Sequence, residues 1–373
     1  MWPYYVLILI PQFLGFNIKV KLKTRNGIIE EEKPIRLTYF FFFFILFLLL
    51  ALRDSRCGAD TRVYEYYFNY AANTSFRELF ISSQTLGVNN VEIGYLLLNK
   101  IVAIISGNNY QVFLAVTAFV SIFPVYLFYK RENLYSRAAL LMFLYLVPFS
   151  TLFSMIRQVI AMSLVPLAFK LVREKKLLKF VVLILFASSF HVSALIILLL
   201  YPVYWAKYEK KTLHILLPVF GVTLAFNKQL FGILNNFFIS RLFDRYSETT
   251  STGAFGMLLL FLVLTIYVFI IPDEKELNQD EKGLRNVLVL VTLLQCFAPI
   301  HTIAMRMTNF FQYFIPIAVL QTSHKARSEY KQISYLFVVG LSLFCLFMFI
   351  YKAYTGDDIL NIFPYVAFWE SNT

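Results

Sequence analysis

The sequence predicts an all-α fold, a polytopic transmembrane helix bundle of about 12 passes, and three observations carry that prediction. Apolar residues make up 59% of the 373 and charged residues only 15%, against roughly half and about a quarter in soluble domains. Long apolar runs recur along the chain, separated by short polar loops, which is how successive bilayer-spanning helices read. The basic residues also collect in alternate loops, as they do on the cytoplasmic side of a membrane.

Taken in order, the first 16 residues lack the basic start and small-residue cleavage site of a secretory signal, so they predict a retained first span. Residues 39–50, with five consecutive phenylalanines, suit only an apolar surrounding. Six loops, 17–36, 130–137, 173–179, 206–214, 272–285 and 322–331, hold 22 of the 34 basic residues and 12 of the 22 acidic ones, a net of +10. The formal charge of +12 thus belongs mostly to one membrane face and does not point to nucleic acid. The 272–285 loop is itself net acidic and is placed by alternation with its neighbours.

Putting these loops on one side fixes the parity of what lies between them. Between 36 and 130 only two crossings fit, so the apolar stretch 93–106 is expected not to cross but to lie as an interfacial or re-entrant helix on the outer side, buried against protein or lining a cavity. Residues 177–205 require an even number of passes, with a break at the polar run from Ser188 to Ser193. Each arm then has about 13 residues, roughly 20 Å, short of a ~30 Å hydrocarbon core. The turn at His191 is therefore expected below the outer surface. The passes fall near 1–16, 37–52, 110–129, 138–153, 157–172, 177–189, 192–205, 213–226, 255–271, 286–304, 309–321 and 332–351. They form one transmembrane domain over 1–373, with both termini outside and outer segments at 53–109 and 227–254. Cys57, Cys296 and Cys345 define neither a disulfide framework nor a metal-ligand spacing. No internal repeat is visible.

Ionisable groups at membrane depth are costly and mark candidate sites. The topology gathers Arg53, Asp54, Arg56, Asp60, Arg157, His191, Arg241, Asp244, Arg245 and Arg306 at the outer end. Arginines held there against the basic-inside bias suggest a bound anion, since the guanidinium fork suits phosphate. Local roles compete with that reading. Arg53 follows a span and suits an interfacial anchor, Asp60 can pair with Arg56 or Arg62, and Arg241 and Arg245 can flank Asp244 on a solvated helix face. Arg157 starts a turn inside the interface, and His191 sits where a hairpin tip needs polar satisfaction in any case.

Several short elements, in order, resemble the EpsG-like, Wzy-type polysaccharide polymerases of bacterial exopolysaccharide, capsule and O-antigen loci. They are Arg53 with Gly58, Asp60 and Tyr64; Glu92, Gly94, Tyr95 and Asn99, with Ile93 where the family pattern has proline; Ile156, Arg157, Gln158 and Ala161; Phe190, His191, Ser193 and Ala194; and Arg306 ahead of Phe310 and Phe311. The resemblance implies a glycosyltransferase that joins undecaprenyl-diphosphate-linked repeat units at the outer face of the bacterial cytoplasmic membrane, and it leaves a GT-C-like architecture open. It implies substrate binding by Arg53, Tyr64, Arg157, Gln158 and Arg306, to which the charge placement adds Arg241 and Arg245. It implies a base at His191, whose imidazole ordinarily titrates near ~6.5, or else at Asp60. Asp60 and Glu65 are oxygen ligands by type, but one carboxylate pair defines no metal site, and no cofactor is expected. The implied partners are the lipid-linked donor and acceptor, the bilayer, and a flippase and chain-length regulator of the same pathway. A flippase or exporter would need charges spanning the bilayer, and a ligase differs only in its acceptor.

Overall fold

A computed structural model of the chain describes residues 2–13, 18–24, 27–33, 36–84, 91–132, 136–234, 253–356 and 360–370. Among them the chain is helical apart from one antiparallel strand pair, Ile18–Thr24 and Gly27–Lys33, with Thr24 opposite Gly27 and Ile18 opposite Lys33. This segment was expected as a plain connecting loop. Alternation of apolar and basic residues from Ile18 to Lys23 and the Asn26-Gly27 pair account for the hairpin instead. Among the described residues two helices, Tyr110–Arg131 and Ser328–Thr355, are long and apolar enough to cross a membrane, and counting two bent helix pairs as spans makes four. Six shorter apolar helices accompany them.

The described chain packs as two compact units, residues 1–163 with 341–373, and residues 164–340. In the first, Arg36–Ala51 lies along Tyr110–Arg131. The phenylalanine block divides by helical periodicity: Phe42 and Phe43 are buried, with Phe143 at 5.7 and 5.4 Å between ring centroids, while Phe40 and Phe44 point outward. The helix Ile93–Ser106 packs on Thr61–Asn73 and on Tyr110–Arg131 and stops at Gly107, whose left-handed φ of 62° suits a helix end.

The C-terminal segment 360–370 runs along the loop at residues 52–60. Backbone bonds join them at Gly58 N to Asn361 O (2.8 Å), Ala59 N to Leu360 O (2.7 Å), Asp54 N to Val366 O (2.9 Å) and Phe368 N to Leu52 O (3.0 Å). The Tyr4 hydroxyl donates to Ile362 O at 2.7 Å, so both ends of the chain meet the Arg53 loop. Gly58 holds that loop at φ 106°, where a Cβ would stand 2.5 Å from Thr61 Oγ1 and 2.6 Å from the Phe153 carbonyl. Gly58→Ala is therefore expected to cost about 2 to 4 kcal/mol, from strained backbone and overpacking together. Thermal melting in detergent checks it: a melting temperature equal to wild type would mean that the loop does not need this turn.

In the second unit Gln279–Gln295 is the central helix, packed on Gly253–Ile270, Leu200–Trp205, Thr302–Asn309 and Ile315–His324. Asn278 caps it, accepting from Glu281 N while the Glu281 carboxylate accepts from Asn278 N, a reciprocal capping box. Gly283 admits the Tyr204 ring against the helix, at a distance no Cβ would allow. Arg285, read from the sequence as part of a basic loop, is buried with its Nη1 2.6 Å from Glu274 and its guanidinium 4.3 Å from the centre of the Phe269 ring.

The expected break in 177–205 is present. Leu177–Ser188 ends at Ser189, and the chain resumes as a 3-10 helix over Val192–Leu199, continued by Leu200–Trp205. The two arms pack on each other. Eight residues of 3-10 helix is a long run for this geometry, and its ~2.0 Å rise stretches the second arm to about 25 Å against about 18 Å for the first.

Candidate functional site

Residues singled out from the sequence lie in both units. In the first unit, the chain breaks at Met155 between the short helices Phe149–Ser154 and Ile156–Ser163. The break places Arg157 at the start of a helix. Its Nη1 lies 2.5 Å from Glu92 Oε2, with 20% and 16% of the two side chains exposed. Glu92 immediately precedes Ile93–Ser106 and has extended backbone, and its side chain does not cap that helix. Tyr64 and Tyr95 both interact electrostatically with the guanidinium, and Tyr64 hydrogen-bonds it. Their rings meet edge to face with centroids 5.7 Å apart. Gln158 is buried on the same short helix as Arg157.

Asp60 joins this cluster through its backbone. Its N–H donates to Ser154 Oγ at 3.2 Å, and its carbonyl accepts from Tyr64 N at 3.0 Å. Beside it, Arg56 Nε binds Asp54 Oδ1 at 2.7 Å. Arg53 is 2% exposed, with Nη1 donating to Leu50 O at 2.7 Å and the guanidinium 5.8 Å from the centre of the Phe153 ring. Burial pushes its pKa down. No carboxylate pairs with Arg53 among the described residues, so it braces the loop from inside rather than facing a surface.

In the second unit His191 is 4% exposed, and its Nε2 lies 3.2 Å from Ser193 Oγ. The 3-10 helix that it begins packs on Thr302–Asn309, where Val192, Phe231 and Met307 gather on the buried Ile303. Arg306 is three residues beyond Ile303 and hence on that face of the helix. His301, which sequence reasoning did not single out, caps this helix by accepting from Ile303 N at 3.1 Å. Its ring stacks on Phe231 with centroids 4.9 Å apart. Nearby an apolar cavity of about 410 Å³ is lined by Val219, Thr223, Leu230, Ile233, Leu234, Leu293 and Phe297. Arg241 and Arg245 lie outside the described residues.

Sequence reasoning quoted Glu92 as part of a motif but gave it no role. The structure pairs it with an arginine 65 residues away. Its signal in the sequence was an acid directly ahead of an apolar helix, which reads locally as a helix-dipole partner.

Apolar helices and basic residues gathered in alternate loops define a helical membrane protein. The chain belongs to the EpsG family, which it matches over residues 36–367. It is thus a membrane protein of polysaccharide biosynthesis. No curated protein and no solved structure matches it.

Proposed function

We propose that this protein is a Wzy-type polymerase that joins polyprenyl-diphosphate-linked oligosaccharide units. The supporting observation is the guanidinium of Arg157, held by Glu92 and Tyr64 at the start of a short helix, in a chain of the EpsG family. Polymerisation consumes two lipid-diphosphate-linked molecules, and each brings an anionic head group that a guanidinium suits. In the second unit the apolar cavity beside Phe231 and Phe297 adds a wall fit for hydrocarbon.

In the reaction the acceptor hydroxyl attacks the anomeric carbon of the donor, and the bond to the diphosphate oxygen breaks. The polyprenyl diphosphate leaves with the bonding electrons, and the hydroxyl proton passes to a base. Preorganised guanidinium groups stabilise the leaving anion. His191 is our candidate for the base, with Asp60 as the alternative, and Arg53 supports the loop from below. On this reading the chain crosses the cytoplasmic membrane 12 times, Ile93–Ser106 does not cross, and the chemistry lies at the outer face.

Purified protein supplied with synthetic undecaprenyl-diphosphate repeat units is expected to give a ladder of products at multiples of the repeat. One undecaprenyl diphosphate should be released for each bond formed. Recovery of unchanged substrate would reject the polymerase, and a single transfer to an unrelated acceptor would make the protein a ligase.

A further inference from the structure

We propose that Glu92 is an exchangeable counter-ion for Arg157, which it holds charged and aimed in the empty site and from which the diphosphate of the substrate displaces it. The inference rests on the diphosphate assignment above and adds to it a built-in competitor for the same guanidinium.

Three observations carry it. First, the pair is close but not sealed, with Nη1 and Oε2 2.5 Å apart and each side chain exposed by about a sixth to a fifth, so an incoming anion can reach the guanidinium. Second, a second contact holds Arg157 while the carboxylate leaves, because Tyr64 hydrogen-bonds it. Third, Glu92 has somewhere to go. It occupies the N-cap position of Ile93–Ser106 with extended backbone, φ −62° and ψ 138°, and its side chain does not cap the helix. A carboxylate at that position ordinarily accepts from the first-turn N–H groups and meets the positive end of the helix dipole.

The exchange follows from charge. A guanidinium left alone in a partly buried site is destabilising, so a resident anion is required until substrate arrives. Once a diphosphate is present, a carboxylate on the same guanidinium would be a like charge at contact distance, and the diphosphate presents more charge and a bidentate face. Glu92 therefore weakens substrate binding in the resting protein and lets the arginine discriminate, since a monoanion competes poorly against a carboxylate already in place.

Binding to purified protein tests this with two probes, inorganic pyrophosphate and farnesyl diphosphate, the first reporting the phosphate chemistry alone and the second the lipid-linked form. Glu92→Gln is expected to bind both about 10-fold more tightly than wild type. It should also melt at a lower temperature when empty and show a larger ligand-induced rise. Glu92→Asp keeps the charge but shortens the reach by one methylene, and is expected to move in the same direction by less. It also serves if the glutamine variant cannot be recovered. Unchanged or weaker affinity in these variants, with binding still lost in Arg157→Ala, would overturn the counter-ion role while leaving the diphosphate assignment intact. Wild-type affinity in Arg157→Ala would overturn the assignment itself.

Discussion

Arg157→Ala is expected to reduce polymer formation by at least ~10²-fold, the scale on which a lost preorganised donor to a developing anion is felt. The variant removes a positive group that lies 2.5 Å from Glu92 in the empty site, so it also strands a carboxylate. Breaking a sealed ion pair in this way costs ~3–5 kcal/mol. Here the cost should be smaller because both partners retain some contact with solvent. Protein yield alone is consequently a poor readout. The double variant Arg157→Ala with Glu92→Gln removes the stranded charge and is expected to restore the yield and melting temperature without restoring polymer. Arg157→Lys should recover activity only weakly, because a point charge cannot replace a planar fork that meets two oxygens at once. A normal product ladder from the double variant would show that Arg157 is no clamp.

His191→Gln is expected to lower turnover by roughly 10²-fold, the usual contribution of a positioned acid–base group, with membrane level and pyrophosphate affinity close to wild type. The geometry makes the substitution informative. The ring is buried, and its Nε2 sits 3.2 Å from the Ser193 hydroxyl; glutamine keeps a donor and an acceptor for that contact but cannot take up a proton at neutral pH. His301 supplies the contrast. Its Nδ1 already accepts from Ile303 N as a helix cap, a task asparagine performs, so His301→Asn should keep turnover near wild type. Full activity in His191→Gln would move the base to Asp60. Loss of pyrophosphate affinity together with turnover would make His191 a contact of the diphosphate.

Features written in local pattern were legible in the sequence. The hairpin break at residues 189–191 follows from charge parity and a short polar run, because neither a single span nor a buried helix accommodates 29 apolar residues between two basic loops. The strand pair at 18–33 had its signal too, in the alternating apolar and basic residues of 18–23 and in Asn26-Gly27, inside a segment whose surroundings read as a loop between spans.

What the sequence by itself determined is that this is a helical membrane protein of the EpsG family, since hydropathy, charge placement and short ordered motifs are properties of the chain read locally. What only the tertiary structure decided is which of its charged groups meet. Glu92 reaches Arg157 across 65 residues, Arg53 is buried beside a C-terminal segment that carries no periodicity of its own, and Arg285 is buried against Phe269 and the Tyr208 carbonyl besides its pair with Glu274 in the same loop. The physical reason is that a charge held away from water is tolerable only beside partners that satisfy it, and for Arg157 and Arg285 the fold brings such partners from distant parts of the chain.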